Sequence, residues 1–314
     1  MPRYRNDLPQ LNGETLITDG GLETVLVFHE GCDLPEFASF PLLDEPQGLA
    51  IMERYFRRYT EMAERHGVGL LLESTTWRAN PDWMAKIGCP EDLERINHAA
   101  IEHLVAVREA AGMSGPVVLS GCIGPRGDGY VADNAMSADQ ATDYHAHQVR
   151  VLADTKADQV TAMTFNYAAE AIGLARAAKE AGIPAAISFT VETDGRLPTG
   201  QPLGETIQEV DEATDSAPAY YMINCAHPTH FDDVLTGSEP WIGRLLGLRA
   251  NASACSHAEL DAAEELDEGD PEDFGHHYVM LTQRLPHLRV LGGCCGTDHR
   301  HIGAICAACL VSNG

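Results

Sequence analysis

Short runs of consecutive apolar residues alternate with longer stretches whose apolar positions recur every three to four residues, and the alternation repeats along almost the whole chain. Runs of the first kind read as strands buried on both faces, and those of the second as helices with one apolar face. "TLITDGG" (15–21) is a first strand ended by glycines. A helix follows across 47–66, where Ile51, Tyr55, Tyr59 and Met62 share one face. "VGLLLEST" (68–75) is a second strand, after which "NPDW" supplies an asparagine cap with proline at the first helical position. A long helix covers 91–112. "PVVLSGCIG" (116–124) is a third strand, and its helix starts at Ser137 with Gln140 completing a capping box, running to about residue 155. "ADQVTAMTF" (157–165) is a fourth strand, followed by an alanine-rich helix ending at Gly182. "PAAISFTVE" (184–192), with a helix near 203–215, then "AYYMINCA" (219–226), "RLLGLRANAS" (244–253) and "LRVLGGCCG" (288–296) complete the strands. "DHRHIGAICAACL" is a final helix.

Eight strands alternating with helices predict an α/β fold, a single closed (β/α)8 TIM barrel, better than they predict two open sheets. No low-complexity linker splits the chain, so one domain is expected to span 1–314. In such a barrel the active site lies at the C-terminal ends of the strands. The run 259–273 holds nine acids and no base. It reads either as a solvated loop or as an insertion over the barrel mouth.

Composition narrows the function. No apolar run approaches the roughly 20 residues of a membrane span, and "MPRYRNDLPQLNG" lacks the apolar stretch of a signal peptide. A cytoplasmic address is expected. The net charge of −26 repels phosphate backbones and anionic lipids, so neither nucleic acid nor membrane is an expected partner. A homo-oligomer is compatible with the sequence. Nine cysteines, an odd number in a long chain, argue against a disulfide framework; most read as small buried hydrophobes. The motifs GxxxxGK[ST], GxGxxG and GxSxG are absent, which removes the phosphate-loop, dinucleotide and nucleophile-elbow readings.

Three cysteines fall at predicted strand ends. Cys225 closes strand six in "MINCAHP", and Cys294 with Cys295 closes strand eight in "LGGCCGT". Three thiolates suit Zn²⁺ in tetrahedral geometry and leave the fourth position for a substrate, the mark of a catalytic site. Adjacent residues of a regular strand point to opposite faces, so Cys294 and Cys295 can share an ion only where the strand has ended. Gly292, Gly293 and Gly296 permit a turn there, and the backbone amides around Gly293 and Gly296 are candidates to steady the sulfurs. An alternative is a structural zinc site on Cys294, Cys295, Cys306 and Cys309, the last two spaced to share a helical face.

"GGCCGT", "INCAHP", "TDGGLET", "SGCIGPRGDGY" and "SFTVETDGRLPTGQPL" resemble the homocysteine S-methyltransferase family, in register from about residue 15 to 310. The resemblance implies a zinc-dependent barrel whose metal is held by Cys225, Cys294 and Cys295. It implies a small-molecule thiol acceptor, homocysteine, and a methyl donor such as S-methylmethionine, S-adenosylmethionine, betaine or a folate. Asp19 and Glu73 match acidic positions around the substrate amino acid, and Asn224 and Asn251 match further site positions. His227, before Pro228, reads as a helix-start residue. Trp77, Trp83 and Phe37 are candidates for a donor pocket or for packing.

The chain departs from the family at two places. Thr75 stands where many members carry an asparagine, and Met163 where many carry a glutamate that would anchor the substrate ammonium. A different thiol is therefore the alternative acceptor, with Glu73, Asn166 and Tyr167 as replacements for the missing contacts.

Overall fold

The computed structural model describes residues 1–133, 135–263 and 265–310. Glu264 of the acidic run and residues 311–314 of the expected domain lie outside the described residues.

Eight parallel strands close into one barrel in sequence order: β1 Leu16–Ile17, β2 Gly69–Glu73, β3 Val117–Ile123, β4 Gln159–Phe165, β5 Ala185–Phe189, β6 Tyr220–Asn224, β7 Leu245–Ala250 and β8 Val290–Gly293. Every one lies within the run of apolar residues that predicts it. The helices packed outside are α1 Pro46–His66, α2 Leu93–Ala111, α3 Ala138–Ala153, α4 Ala168–Ala181, α5 Leu203–Thr214, the single turn α6 Pro228–Phe231, α7 Pro271–Arg284 and α8 His299–Cys309.

Local signals set the ends of several of these. Asn80 caps a short helix by accepting from the Trp83 amide, Ser137 and Gln140 form the capping box of α3, and Gly182 ends α4 in the left-handed conformation. The apolar face of α1 is buried as its periodicity requires. One large apolar layer fills the space between strands and helices; a second, smaller cluster including Leu71, Val118, Met163, Tyr220 and Met222 fills the barrel interior.

The N-terminal segment closes the bottom of the barrel, a role its sequence does not announce. Leu8 packs into the interior cluster, and Gln10 donates to Gln159 and Tyr220. Asp158, fully buried, holds this plug: Oδ1 accepts from the amides of Arg3 and Tyr4 at 2.7 Å each, and Oδ2 from the amide of Leu119 at 3.0 Å. The Arg108 guanidinium lies 3.6 Å from the same carboxylate. Replacing Asp158 by Ala strips these donors of their acceptor at once, and we expect a loss of about 3 kcal/mol in urea unfolding. A loss under about 1 kcal/mol would mean the plug is not held this way.

Candidate active site

The C-terminal ends of the strands enclose a cavity of about 460 Å³. Cys225, Cys294 and Cys295 all line it, and their sulfurs lie within 4.8 Å of one another. Sγ of Cys225 is 3.8 Å from Sγ of Cys295, and the sulfurs of Cys225 and Cys294 are in disulfide contact, with Cα atoms 5.4 Å apart. The six cysteines outside this cluster are free, and the one disulfide contact lies within it.

Three soft sulfur donors converging from β6 and β8 fit a zinc ion. A tetrahedron with Zn–S near 2.3 Å has edges of about 3.8 Å, the separation found for Cys225 and Cys295. Burial pushes the Cys295 thiol up to about 11, so without a nearby cation it stays protonated at neutral pH. A divalent ion would reverse that.

Backbone irregularity brings the three together. Asn224 faces the barrel interior, so an extended continuation would turn Cys225 to the outer face. Cys225 instead takes φ 54°, in the left-handed region, and its sulfur stays over the mouth with Cys294. This conformation costs a β-carbon residue roughly 1–2 kcal/mol. It is held from both sides: the Cys225 amide donates to the Arg249 carbonyl at 3.2 Å, and its carbonyl lies 2.6 Å from His257 Nε2. On β8 the strand ends at Gly293, as the paired cysteines require, and the chain turns at Gly296 with φ 76°. Gly21 lets β1 approach: a β-carbon there would meet the Cys294 carbonyl at 2.5 Å.

Side chains approach all three sulfurs, and at Cys295 a backbone amide between Gly293 and Gly296 does so as well. Asn224 Nδ2 lies 3.8 Å from Cys294 Sγ, Thr164 Oγ1 4.0 Å from Cys225 Sγ, and the Tyr130 hydroxyl 3.9 Å from Cys295 Sγ. The Gly293 amide is taken by the Asp19 carbonyl at 3.1 Å. Asn224 itself is fully buried behind the sulfurs, accepting from the Thr164 amide and Ser188 and donating to Thr164 Oγ1. Thr164 also has a left-handed backbone, φ 64°, at an irregularity of the β4–β5 pairing, so Met163 and Thr164 both reach the cavity wall.

Asp19, Glu73 and Asn251 line the cavity. Asp19 is not a free carboxylate: Arg249 Nη2 donates to it at 2.6 Å and the Tyr55 hydroxyl at 3.0 Å. Burial opposes the Arg249 charge, but Asp19 and then Glu73 override it and hold the guanidinium protonated well above its ordinary range. Glu73 is buried at the end of β2 with no well-formed hydrogen bond on either oxygen among the described residues, and burial, opposed by Arg249 and then by the nearby Ser120 and Thr161 hydroxyls, lifts its carboxyl to about 7. The Asn251 Oδ1 is likewise buried without a donor. Met163 does line the cavity where the family glutamate is expected, while Asn166 and Tyr167 do not. Trp77 and Phe37 are in the wall; Trp83 is covered by Arg78 and Lys86.

Because folding raises the Glu73 value above its ordinary 4.5, the protonated form is the one the fold prefers. Its contribution to stability is full below about pH 4.5 and lost as pH rises to about 7, a fall of about 3 kcal/mol. Glu73→Gln should remove that slope. Urea unfolding between pH 5 and 8 reads it as the difference between the two proteins, and parallel curves would contradict it.

Three further expectations are decided here. His227 caps α6, accepting from the Thr229 amide, and is not grouped with the cysteines. Cys306 is core and Cys309 accepts from Thr282; among the described residues neither joins Cys294 and Cys295 in a ligand cluster, which removes the structural-zinc alternative. The acidic run is more than a solvated loop, since Asp261, Glu265 and Asp267 line the cavity from above. Arg249, Tyr130 and His257 were not foreseen as site residues. A lone arginine in the apolar run "LLGLRA" was a readable signal for the first.

A family model described as homocysteine S-methyltransferase matches residues 16–309. Among curated proteins none matches the chain. Among solved structures, the homocysteine methyltransferase MmuM from Escherichia coli matches in three forms. The oxidized form has a TM-score of 0.74 at 22% identity, covering 95% of this chain and 97% of that one. The metallated form has 0.71 at 19% identity, covering 96% and 98%, and the apo form 0.65 at 19%, covering 97% and 100%. At such identity the likeness speaks for the barrel fold.

Proposed function

The chain belongs to the homocysteine S-methyltransferase family and is a methyltransferase; from that premise we propose that it moves a methyl group from a sulfonium or quaternary ammonium donor to the sulfur of homocysteine, giving methionine. The observation that carries this reading is the convergence of Cys225, Cys294 and Cys295 on one point at the cavity wall. These three residues would hold Zn²⁺. An ion held there would supply the positive charge that lowers the pKa of a substrate thiol, ordinarily near 8.5, toward neutral pH.

The chain's own residues then have separable tasks. Asn224, Thr164 and Tyr130 steady the ligand sulfurs. Asp19, Glu23 and Glu73 from the strand ends, with Asp128, Asp261, Glu265 and Asp267 from the loops, give the wall seven acids against Arg78 and Arg249. Such a wall favours cationic substrates, namely the ammonium of an amino acid and the onium centre of S-methylmethionine, S-adenosylmethionine or betaine; it disfavours an anionic folate. When the substrate sulfur attacks, the methyl–sulfur bond of a sulfonium donor breaks and its electron pair stays on the donor sulfur. The spent donor is neutral there, so the acids release it more readily than they bound it.

Met163 removes the usual ammonium anchor, and Glu73, orphaned and buried beside the cavity, is the group placed to replace it. That is why homocysteine stays the leading acceptor, with another thiol second. Asn251 and Asp19 complete the proposed substrate wall. The zinc chemistry and the six free thiols outside the cluster fit a reducing cytoplasm and a role in methionine biosynthesis, with residues 1–314 acting as one domain. No helix among the described residues is long and apolar enough to cross a membrane.

The test is a transfer assay of the purified chain with homocysteine and other thiols against each onium donor, alongside its zinc content. Methionine formed by protein carrying about one zinc per chain is the expected result. Methylation confined to another thiol would replace the acceptor, and active protein free of zinc would end the metal reading.

A further inference from the structure

Arg78 has no role in the chemistry described so far, yet it is 7% exposed and lines the cavity. Its guanidinium carbon lies over two indoles, 3.9 Å from the centroid of Trp77 and 3.5 Å from that of Trp83. Nη1 donates to the Gly127 carbonyl at 3.3 Å. Nε is buried and has no acceptor, and among the described residues no carboxylate lies within ion-pair distance of the group. A buried guanidinium is ordinarily paired, because an unpaired charge out of water is costly. Arg249 in the same wall obeys that rule through Asp19. Arg78 does not.

Resting on the methyl-transfer reading of the same cavity, we propose that Arg78 is the carboxylate-binding residue of this site, holding an amino-acid substrate by its carboxylate while the acids hold its positive charge. The Nε edge of a planar guanidinium, unpartnered in Arg78, is the fork that carboxylates bind in two parallel hydrogen bonds. The two indoles fix the plane, so little freedom is lost on binding. The chemistry of the wall selects the ligand class: Asp128, Asp261, Glu265 and Asp267 from the loops disfavour a simple anion, whereas a zwitterion satisfies both the acids and the single unpaired cation. Position links this subsite to the sulfurs. The turn Gly127–Tyr130 touches Arg78 at its first residue and Cys295 Sγ, through the Tyr130 hydroxyl, at its last. Asp128, between them, is the largest charge opposing the desolvation of Arg78.

Both the acceptor and the onium donors S-methylmethionine and betaine carry a carboxylate, and the experiment separates them. Binding of methionine and of 3-(methylthio)propylamine, its counterpart without the carboxylate, is measured by calorimetry on the wild type, Arg78→Gln and Arg78→Lys. Wild type should prefer methionine by about 10- to 100-fold, the worth of a charge-assisted pair. Arg78→Gln should bind the two alike, and Arg78→Lys should keep part of the preference. Transfer kinetics then compare homocysteine with 3-aminopropane-1-thiol, and S-methylmethionine with (3-aminopropyl)dimethylsulfonium. Preference erased in the first pair alone assigns Arg78 to the acceptor, and in the second alone to the donor.

A merely structural arginine would weaken all ligands together and leave the preferences in place. Wild-type preference retained by Arg78→Gln, or no preference in the wild type, overturns the proposal. If no pair supports transfer but Arg78→Gln still erases the calorimetric preference, the methyl-transfer reading fails and the carboxylate site stands.

Discussion

Cys294→Ala protein should purify with less than about a tenth of a zinc per chain and lose methyl transfer by more than a thousandfold, the scale seen when a group on which a reaction wholly depends is removed. The reason is geometric. The three sulfurs come from two strands and lie within 4.8 Å of one another, and deleting one leaves two thiolates that cannot define three corners of a tetrahedron. Cys225→Ser should behave alike, although the residues share no segment. Cys309→Ala is the control: its sulfur is outside the cluster, so zinc and transfer should both persist. Zinc measured by mass spectrometry together with turnover decides the matter. A Cys294→Ala protein retaining stoichiometric zinc would show that the metal sits elsewhere.

Arg249→Leu should be the most destabilising single change at the mouth that touches no ligand, at about 3–5 kcal/mol. Arg249 ties three strands. From β7 its Nη2 donates to Asp19 Oδ1 at 2.6 Å and to the Gly20 carbonyl at 3.2 Å beyond β1, and its Nε to the Gly293 carbonyl of β8 at 3.0 Å. Leucine leaves Asp19 buried without its cation and both carbonyls without a donor. Adding Asp19→Asn removes the stranded charge, so the double variant should be more stable than the sum of the two losses by about 1–3 kcal/mol. Losses that add to within about 0.5 kcal/mol would mean that Asp19 and Arg249 do not act as a pair. Since Gly293 precedes Cys294, a proposed ligand, zinc affinity should also fall by about 10- to 100-fold in Arg249→Leu.

Much of the barrel was legible because strand and helix impose different periods on the same alphabet. Largely apolar runs such as "VGLLLEST" and "AYYMINCA" fit best between two layers, and α1 shows its buried stripe in Ile51, Tyr55, Tyr59 and Met62. Caps were readable for the same local reason: Ser137 with Gln140 and Asn80 with Pro81 act within one helical turn. The candidate ligands were legible in part, because a cysteine pair between glycines at one strand end, with a third cysteine at another, has few other uses.

What could not be read depends on chain segments distant from one another. A period of two places Asn224 and Cys225 on opposite faces; only contacts from Arg249 and His257 reveal the left-handed turn that puts Cys225 over the mouth. Asp19 looked like a free acid until the fold set Arg249, 230 residues away, against it. Arg78 gave no sign of its isolation, since being unpaired is a property of surroundings. The acidic run did not show whether it faced solvent or the cavity, and the N-terminal segment did not show that Asp158 would seat it in the barrel floor.

The order of residues alone thus determined the strands, the helices, the closed barrel and which sulfurs stand at its mouth, because each follows from a period or a cap acting over a few residues. The tertiary structure alone decided which charges are paired, which are left for a ligand and which way each thiol points. Pairing, burial and a left-handed backbone are settled by neighbours that only closure of the barrel brings together.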